Sequence, residues 1–466
     1  MLKPAGDPFA LPRRRCNCGP RPPRRKFLRQ SNPLRRNRLS MTHPADAPAD
    51  PMTGAGPARS TDISRARAAR VAAAILLALC IAPAHAGDCP PSPPGLQSFH
   101  AAIDAVDSGT RSYPLTVLHL GDSHISLDHL TRPMRARWQA RFGDAGRGLM
   151  PGVPFRYYAP DGFALSMRGP WVVVSSLLRT TEGPFGVQGF RASADGHDAV
   201  MTMTADAPFS ALTLELAGGP DTGTVMLKLG DAAPFRLSTR RAAPGLVRLT
   251  LPAAANRAAL WPAGNGPVHL LGWSVAHAIH DGSPGIRYDS HGIVAATAAI
   301  TERWDKDIVD AQLAALAPDL VILGYGTNEG FDNGLDLGAH KALLGGLIDR
   351  IRAAAPGASL ALLGPFDGAR QGTGEACGDG WATPPKLGPL RETMRALAAE
   401  DGAFYWDGEA AMGGRCSVHR WAMEAPPLAY ADRVHFRPDG AARLGEALWA
   451  ALMGARETAK GGICRP

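Results

Sequence analysis

No stretch of this 466-residue chain is apolar for long enough to cross a bilayer; the run Val71 to Ala82 stops well short of the roughly 20 residues a spanning helix needs. No Cys-x-x-Cys or His-rich spacing suggests a metal site, and no nucleotide or flavin motif is present, so no cofactor and no metal are expected. No internal repeat is apparent. Acidic residues are scarce at one end only: residues 1–86 hold 4 Asp and Glu against 16 Lys and Arg. The remainder carries 34 basic and 38 acidic residues, so the formal charge of +8 comes from the amino-terminal segment and the rest is mildly acidic.

That segment has no periodicity over Met1 to Asp50, where Arg and Pro dominate, and it cannot form a core. Residues 65–86, RARAARVAAAILLALCIAPAHA, then show a basic stretch, an apolar stretch and an Ala-His-Ala ending suited to signal peptidase, with cleavage expected after Ala86. Signal peptides begin near a start codon, so translation from Met41 or Met52 is expected, with residues 1–64 a disordered basic extension. A nucleic-acid-binding arm fused to an export signal makes little sense, and no nucleic-acid partner is expected. A lipoprotein reading through Cys80 is disfavoured by the large Leu79 before it. Export leaves four cysteines, enough for two disulfides. Cys377 with Cys416 and Cys89 with Cys464 is the favoured pairing of the three possible.

The stretch LTVLHLGDSH (115–124) reads as a buried strand running into a tight turn that presents Ser123. DLVILGYGTNE (319–329) is a second apolar strand, ending in a Gly-rich turn that carries Asn328. YADRVHFRPDG (430–440) places Asp432 and His435 just before a last helix. These stretches supply a nucleophile, an amide donor, a base and the group that orients the base. His124 adjoins the nucleophile, but that position disfavours in-line geometry with Ser123, so it is expected to support the site and not to serve as base.

The GDSH, GTNE and DRVH segments, in that order, resemble the blocks of the SGNH (GDSL) hydrolases, in which the Asp sits three residues before the His. GDSHISLD with RFGDAGRGLMPG, and YWDGEAAMGGRCSVHRW ahead of DRVHF, resemble the peptidoglycan O-acetylesterase branch. Glu329, where many SGNH enzymes have Asp, is shared with that branch. The resemblance implies a catalytic Ser123, Asp432 and His435. It assigns the oxyanion donors to the Ser123 N–H, the Gly292 N–H and the Asn328 amide; Gly285 would be a poorer substitute for Gly292. It further implies a flavodoxin-like, three-layer α/β/α fold with a parallel sheet.

Pattern along the chain divides it accordingly. Residues 87–152 are expected to form the first part of the catalytic domain, with HLTRPMRARWQARF (129–142) an amphipathic helix. From 153 to 289 short alternating segments such as ALTLELA, TVMLKL and LVRLTL predict an inserted β-sandwich. In the resembling esterases this insert is like a carbohydrate-binding module. Tyr157, Tyr158, Trp171, Trp261 and Trp273 are candidates to stack on sugar rings, with core packing the alternative. Residues 290–466 return to strand–helix alternation: helices over 336–354 and 386–401, strands at 358–367 and 404–407, a polar loop over 367–385 and a final helix from Pro438. The expectation is a periplasmic or otherwise exported serine esterase that removes O-acetyl groups from the C6 hydroxyl of N-acetylmuramic acid. Its alternatives are an O-acetyltransferase, an acetylxylan-type esterase and a non-catalytic wall-binding protein. The expected partner is an acetylated polysaccharide, with no stable membrane span.

Overall fold

A computed structural model describes residues 92–154, 158, 160–278 and 283–457. The basic extension, the expected export signal, Tyr157 and the expected Cys89–Cys464 bridge lie outside them. Helix α1 (Gln97–Asp107) leads into β1 (Leu115–Gly121), a four-residue helix α2 (Ser123–Ser126) and α3 (Thr131–Phe142). An antiparallel region follows: β2 (Gly148–Pro151), β3 (Phe163–Arg168), β4 (Val172–Ser175), β5 (Phe190–Ala194), β6 (Val200–Gly218), β7 (Thr224–Leu229), β8 (Phe235–Ser238), β9 (Gly245–Pro262) and β10 (Val268–Ala276). The chain then returns through β11 (Ile286–Gly292), α4 (Lys306–Leu316), β12 (Leu320–Gly324), α5 (Thr327–Gly330), α6 (Leu337–Ala354) and β13 (Ser359–Gly364). Short strands β14 (Arg370–Gln371), β15 (Glu375–Gly378) and β16 (Trp381–Thr383) precede α7 (Leu387–Glu400) and β17 (Phe404–Asp407). Helices α8 (Gly408–Met412), α9 (Ser417–Met423) and α10 (Pro438–Met453) complete the described fold.

Five strands form a wholly parallel sheet in the order β11-β1-β12-β13-β17. Every residue of the internal strand β1 is buried, because helices cover both faces of the sheet. Leu115 and Val117 enter one cluster with Phe99 of α1, Trp138 of α3 and Leu444, Leu448 and Leu452 of α10. Leu118 and Leu120 enter the other with Leu313 of α4, Ile348 of α6 and Leu390 of α7. The alternation of β1 side chains thus divides the core into the two layers of an α/β/α arrangement.

The antiparallel strands form one hydrogen-bonded sheet of nine. Its long strands β6 and β9 shift register between Thr204 and Ala211, and β6 changes partner there, from β3 on one side of the shift to β10 on the other. Met201, Met203, Leu214 and Leu216 of β6 lie in the same buried cluster as Leu118 and Leu120, so hydrophobic packing is continuous with the parallel sheet. Strand β2, ahead of residue 153, pairs with β10 and receives Asp289 of β11 through the Leu149 N–H at 2.5 Å. Buried Glu215 of β6 accepts from Gln312 of α4 at 2.6 Å. Of the aromatics considered for sugar stacking, Tyr158, Trp171 and Trp273 are buried, and Trp261 is half-buried. Core packing accounts for the first three.

The segment 367–385, expected as a loop, holds a three-stranded antiparallel sheet in the order β14-β16-β15. Its glycines satisfy tight turns, and the sequence signal of two- to four-residue strands is too short to stand out. A disulfide joins Cys377 of β15 to Cys416, the favoured pairing. Trp381 of β16 lies 4.5 Å below the Arg433 guanidinium, and the Ala369 N–H donates to the Arg433 carbonyl at 2.9 Å, so this small sheet buttresses the 432–435 loop. Removing the bridge by Cys377→Ser with Cys416→Ser is expected to cost about 2–4 kcal/mol, since it frees a long chain segment in the unfolded state; urea unfolding of the variant beside the oxidised protein measures it.

Candidate active site

The carboxyl ends of three adjacent strands set the site. Gly292 of β11, Gly121 of β1 and Gly324 of β12 are neighbours in register, one row across the sheet. The chain turns at Asp122 directly above this row, with the Asp122 side chain accepting the His124 N–H at 2.9 Å as the cap of α2. Ser123 is the first residue of that helix, so its N–H has no partner in the helical ladder. A Cβ on Gly292 would come within 2.3 Å of the Ser126 nitrogen and 2.5 Å of the Asp122 oxygen, so only glycine allows this approach.

The imidazole beside Ser123 arrives from the other end of the sequence. Ser123 Oγ lies 2.9 Å from His435 Nε2, and His435 Nδ1 lies 2.8 Å from Asp432 Oδ2. Asp432 Oδ1 accepts the backbone N–H groups of Val434 and His435, each at 3.0 Å. Partial burial opposes its charge, but these bonds and His435 hold the Asp432 carboxyl down at about 2. It therefore stays ionised wherever His435 can act as a base. An N–H on Nδ1 directed at that carboxylate leaves Nε2 free to accept the serine proton.

Asn328 sits in the first turn of α5, after β12, the strand beside β1. One amide N–H donates to the Ala296 carbonyl at 2.8 Å; a side-chain amide carries two, so a second remains. Next to it Glu329 is buried and accepts the N–H groups of Ala298 at 2.7 Å and Gly326 at 3.0 Å, pinning the segment after β11 to the turn after β12. An open groove of about 740 Å³ adjoins Asn328 and Glu329, walled by Thr297, Asp332, Leu335 and His340. Among the described residues, no group of three or more His, Cys, Asp or Glu is placed to hold a metal ion.

The structure thus links Ser123, His435 and Asp432 in one hydrogen-bonded chain, packs Gly292 against the serine turn and puts Asn328 on the neighbouring strand end. Sequence reasoning expected His124 to support the site without naming its partners, and it missed two further supporting features. His124 bonds to Asp122 and to the Val434 carbonyl. Glu329 is a backbone cap. Buried Asp128 accepts from Arg135 at 2.9 and 2.8 Å and from Arg147 at 2.8 Å. Burial alone would raise Asp128, but the two guanidinium groups hold it well below the usual carboxylate range. The signal for this last feature was present: GDSHISLD ends in Asp128, and RFGDAGRGLMPG contains Arg147.

The pattern of the GDSL-like Lipase/Acylhydrolase family matches residues 262–443, a span that includes Asn328, Asp432 and His435. A solved structure titled "Peptidoglycan O-acetylesterase in action, 5 min" is similar over 76% of this chain and 95% of its own, at 25% identity with a TM-score of 0.65. Residues 262–443 thus carry the GDSL-like hydrolase pattern, and the parallel-sheet fold is that of the SGNH hydrolases. Two further structures align less extensively with this hydrolase. A GDSL-like lipase from Parabacteroides merdae matches at 19% identity over 36% of this chain and 73% of its own, with a TM-score of 0.28. An acetyl xylan esterase matches at 15% identity over 36% and 81%, also with a TM-score of 0.28. No curated protein matches the hydrolase in sequence. Family and fold together make it a carboxylic ester hydrolase.

Two predictions follow from the site. Gly292→Ala pushes the added methyl into the serine turn, and a displacement of that size is expected to lower kcat for a small acetyl ester about a hundredfold with the fold retained; steady-state kinetics beside circular dichroism checks it. Burial, with the Asp122 charge adding to it, pushes Glu329 up to about 7 against the bonds from Ala298 and Gly326. The unfolded chain ionises it near the ordinary value of about 4.3. The native protein therefore binds the proton more tightly, and stability falls as pH rises from about 4.3 to about 7. Glu329→Gln is expected to flatten that slope in urea unfolding measured across the window.

Proposed function

We propose that this hydrolase is an exported serine esterase that removes O-acetyl groups from peptidoglycan, at the C6 hydroxyl of N-acetylmuramic acid. The observation that carries this reading is the similarity to a peptidoglycan O-acetylesterase, which extends over 76% of the chain and 95% of that protein. A serine, imidazole and carboxylate in hydrogen-bond sequence support acyl transfer through an acetyl-serine. The groove beside Asn328 offers room for the glycan flanking the ester. Export agrees with the basic–apolar–AHA pattern of residues 65–86. No helix among the described residues is long and apolar enough to cross a membrane.

In this mechanism Ser123 Oγ attacks the acetyl carbonyl as His435 Nε2 takes its proton. Asp432 holds the imidazole in the competent tautomer and balances the imidazolium. The N–H groups of Ser123 and Gly292 and the free N–H of Asn328 receive the oxyanion. His435 then returns the proton to the departing sugar oxygen. Water, deprotonated by the same imidazole, attacks the acetyl-serine and releases acetate, restoring Ser123.

The test is acetate release from purified O-acetylated peptidoglycan, with acetylated xylan as the comparison polymer and Ser123→Ala as the control. Release from peptidoglycan is expected, with little from xylan. The variant should lose several orders of magnitude of activity, as triad deletions do. Release from xylan alone would move the substrate and leave the chemistry. Acetate release that persists in Ser123→Ala would overturn the assignment of the nucleophile.

A further inference from the structure

The residue after the proposed nucleophile is a buried histidine whose two ring nitrogens both meet acceptors. His124 Nδ1 lies 3.0 Å from Asp122 Oδ1, and Nε2 lies 3.0 Å from the Val434 carbonyl oxygen. A carbonyl cannot donate. A neutral imidazole has one N–H, so one of the two contacts would then set lone pair against lone pair inside the protein. A single added proton resolves both. The geometry places it on the ring: Asp122 Oδ1 already accepts the His124 backbone N–H, so the same oxygen is placed to accept from Nδ1 as well.

We propose that His124 is a positioning residue carried as an imidazolium, whose two N–H bonds tie the loop bearing Asp432 and His435 to the turn bearing Ser123. The proposal rests on the reading of Ser123, Asp432 and His435 as the catalytic set. Val434 is the residue immediately before the base, so a bond to its carbonyl fixes the peptide from which His435 projects. No other described hydrogen bond joins the α2 turn to this loop except Ser123 to His435 itself. The His124 ring also stacks on His435, with centroids 5.7 Å apart and planes 30° apart, and is closed in by Phe366 and Phe436. Little freedom is left to either imidazole.

The charged groups around it favour the proton. Asp122 lies on its own turn, and Asp432 and His435 lie on the loop it binds; Tyr325 and Glu329, beyond β12, are within electrostatic reach of Asp122. Burial opposes a charge on His124, yet Asp122, the Val434 carbonyl and Asp432 outweigh it and hold the group above its ordinary value. The tie requires the doubly bonded ring that the geometry shows, and it is lost as pH rises through that elevated value.

The test uses the full chain with nitrogen-15-labelled histidine, the signal of His124 being the one missing from His124→Gln. Both ring nitrogens are expected to be protonated at pH 7. With a chromogenic acetyl ester, His124→Ala is expected to lower kcat about a hundredfold and leave KM unchanged, as a misplaced base does. His124→Gln can still donate to Val434, so it should recover part of that loss. It should also lack the alkaline fall in kcat that wild type shows when His124 gives up its proton. A neutral His124 tautomer at pH 7 would overturn the proposal, as would a folded His124→Ala protein with unchanged kcat and pH profile. If His124→Ala does not fold, the nitrogen spectra and His124→Gln decide alone. Full activity in Ser123→Ala would instead show that the site was misassigned, an outcome separate from the protonation state of His124.

Discussion

A 2.9 Å contact between atoms 312 residues apart, Ser123 Oγ and His435 Nε2, is what the rest of the structure has to preserve. Neither residue lies within a long element: one opens a four-residue helix and the other ends a loop. Their separation is governed by what those short segments rest on. The serine turn sits on the glycine row of β11, β1 and β12. The histidine loop leans on Trp381 and on the helix that follows it. Helix α10 in turn packs on α3, the helix after the serine turn, closely enough that Gly445 faces the Leu130 carbonyl with no room for a Cβ. Trp138 of α3 meets Met453 of α10 within the same apolar layer. The two ends of the described chain are thus locked by packing before any polar contact at the site is counted.

The antiparallel sheet is part of that frame. It lies in sequence between two strands that are neighbours in the parallel sheet, and it touches both: β2 reaches Asp289 on β11, and Glu215 on β6 reaches Gln312 on α4. Glu215 and Asp289 are buried carboxyls whose ionisation is opposed first by burial. Each has bonds that offset part of that cost, including Arg248 for the first and Arg287 for the second. Such groups fix one relative placement of the two sheets, because sliding either would leave a charge without its partner.

Much of this was legible in the sequence because it rests on long periodic segments. FYWD, the helix expected over 336–354 and the apolar stripe of α10 were visible from spacing alone. Ser123, Asp432 and His435 stood out because a resemblance linked three distant blocks that composition could not. The features that escaped depend on contacts across the fold. His124 was expected to support the site, but its partner, the Val434 carbonyl, could not be named, because a backbone oxygen leaves no mark in a sequence. The small sheet beside Cys377 read as loop because two-residue strands show no alternation. Trp273 and Trp171 offered flat rings that suit a sugar equally well as a core; only burial decides, and burial belongs to the folded chain.

The position of β1 bears on how the protein assembles. Both strands that flank it, β11 and β12, are made after the whole antiparallel sheet, so a growing chain carries LTVLHLG with both edges unpaired until residue 286 and beyond is available. A seven-residue apolar strand in that condition is a template for pairing with other chains. This strand is thus a segment in need of protection while the chain is being made. The same internal position that pairs both edges of β1 in the finished enzyme leaves it waiting for two neighbours made later in the chain.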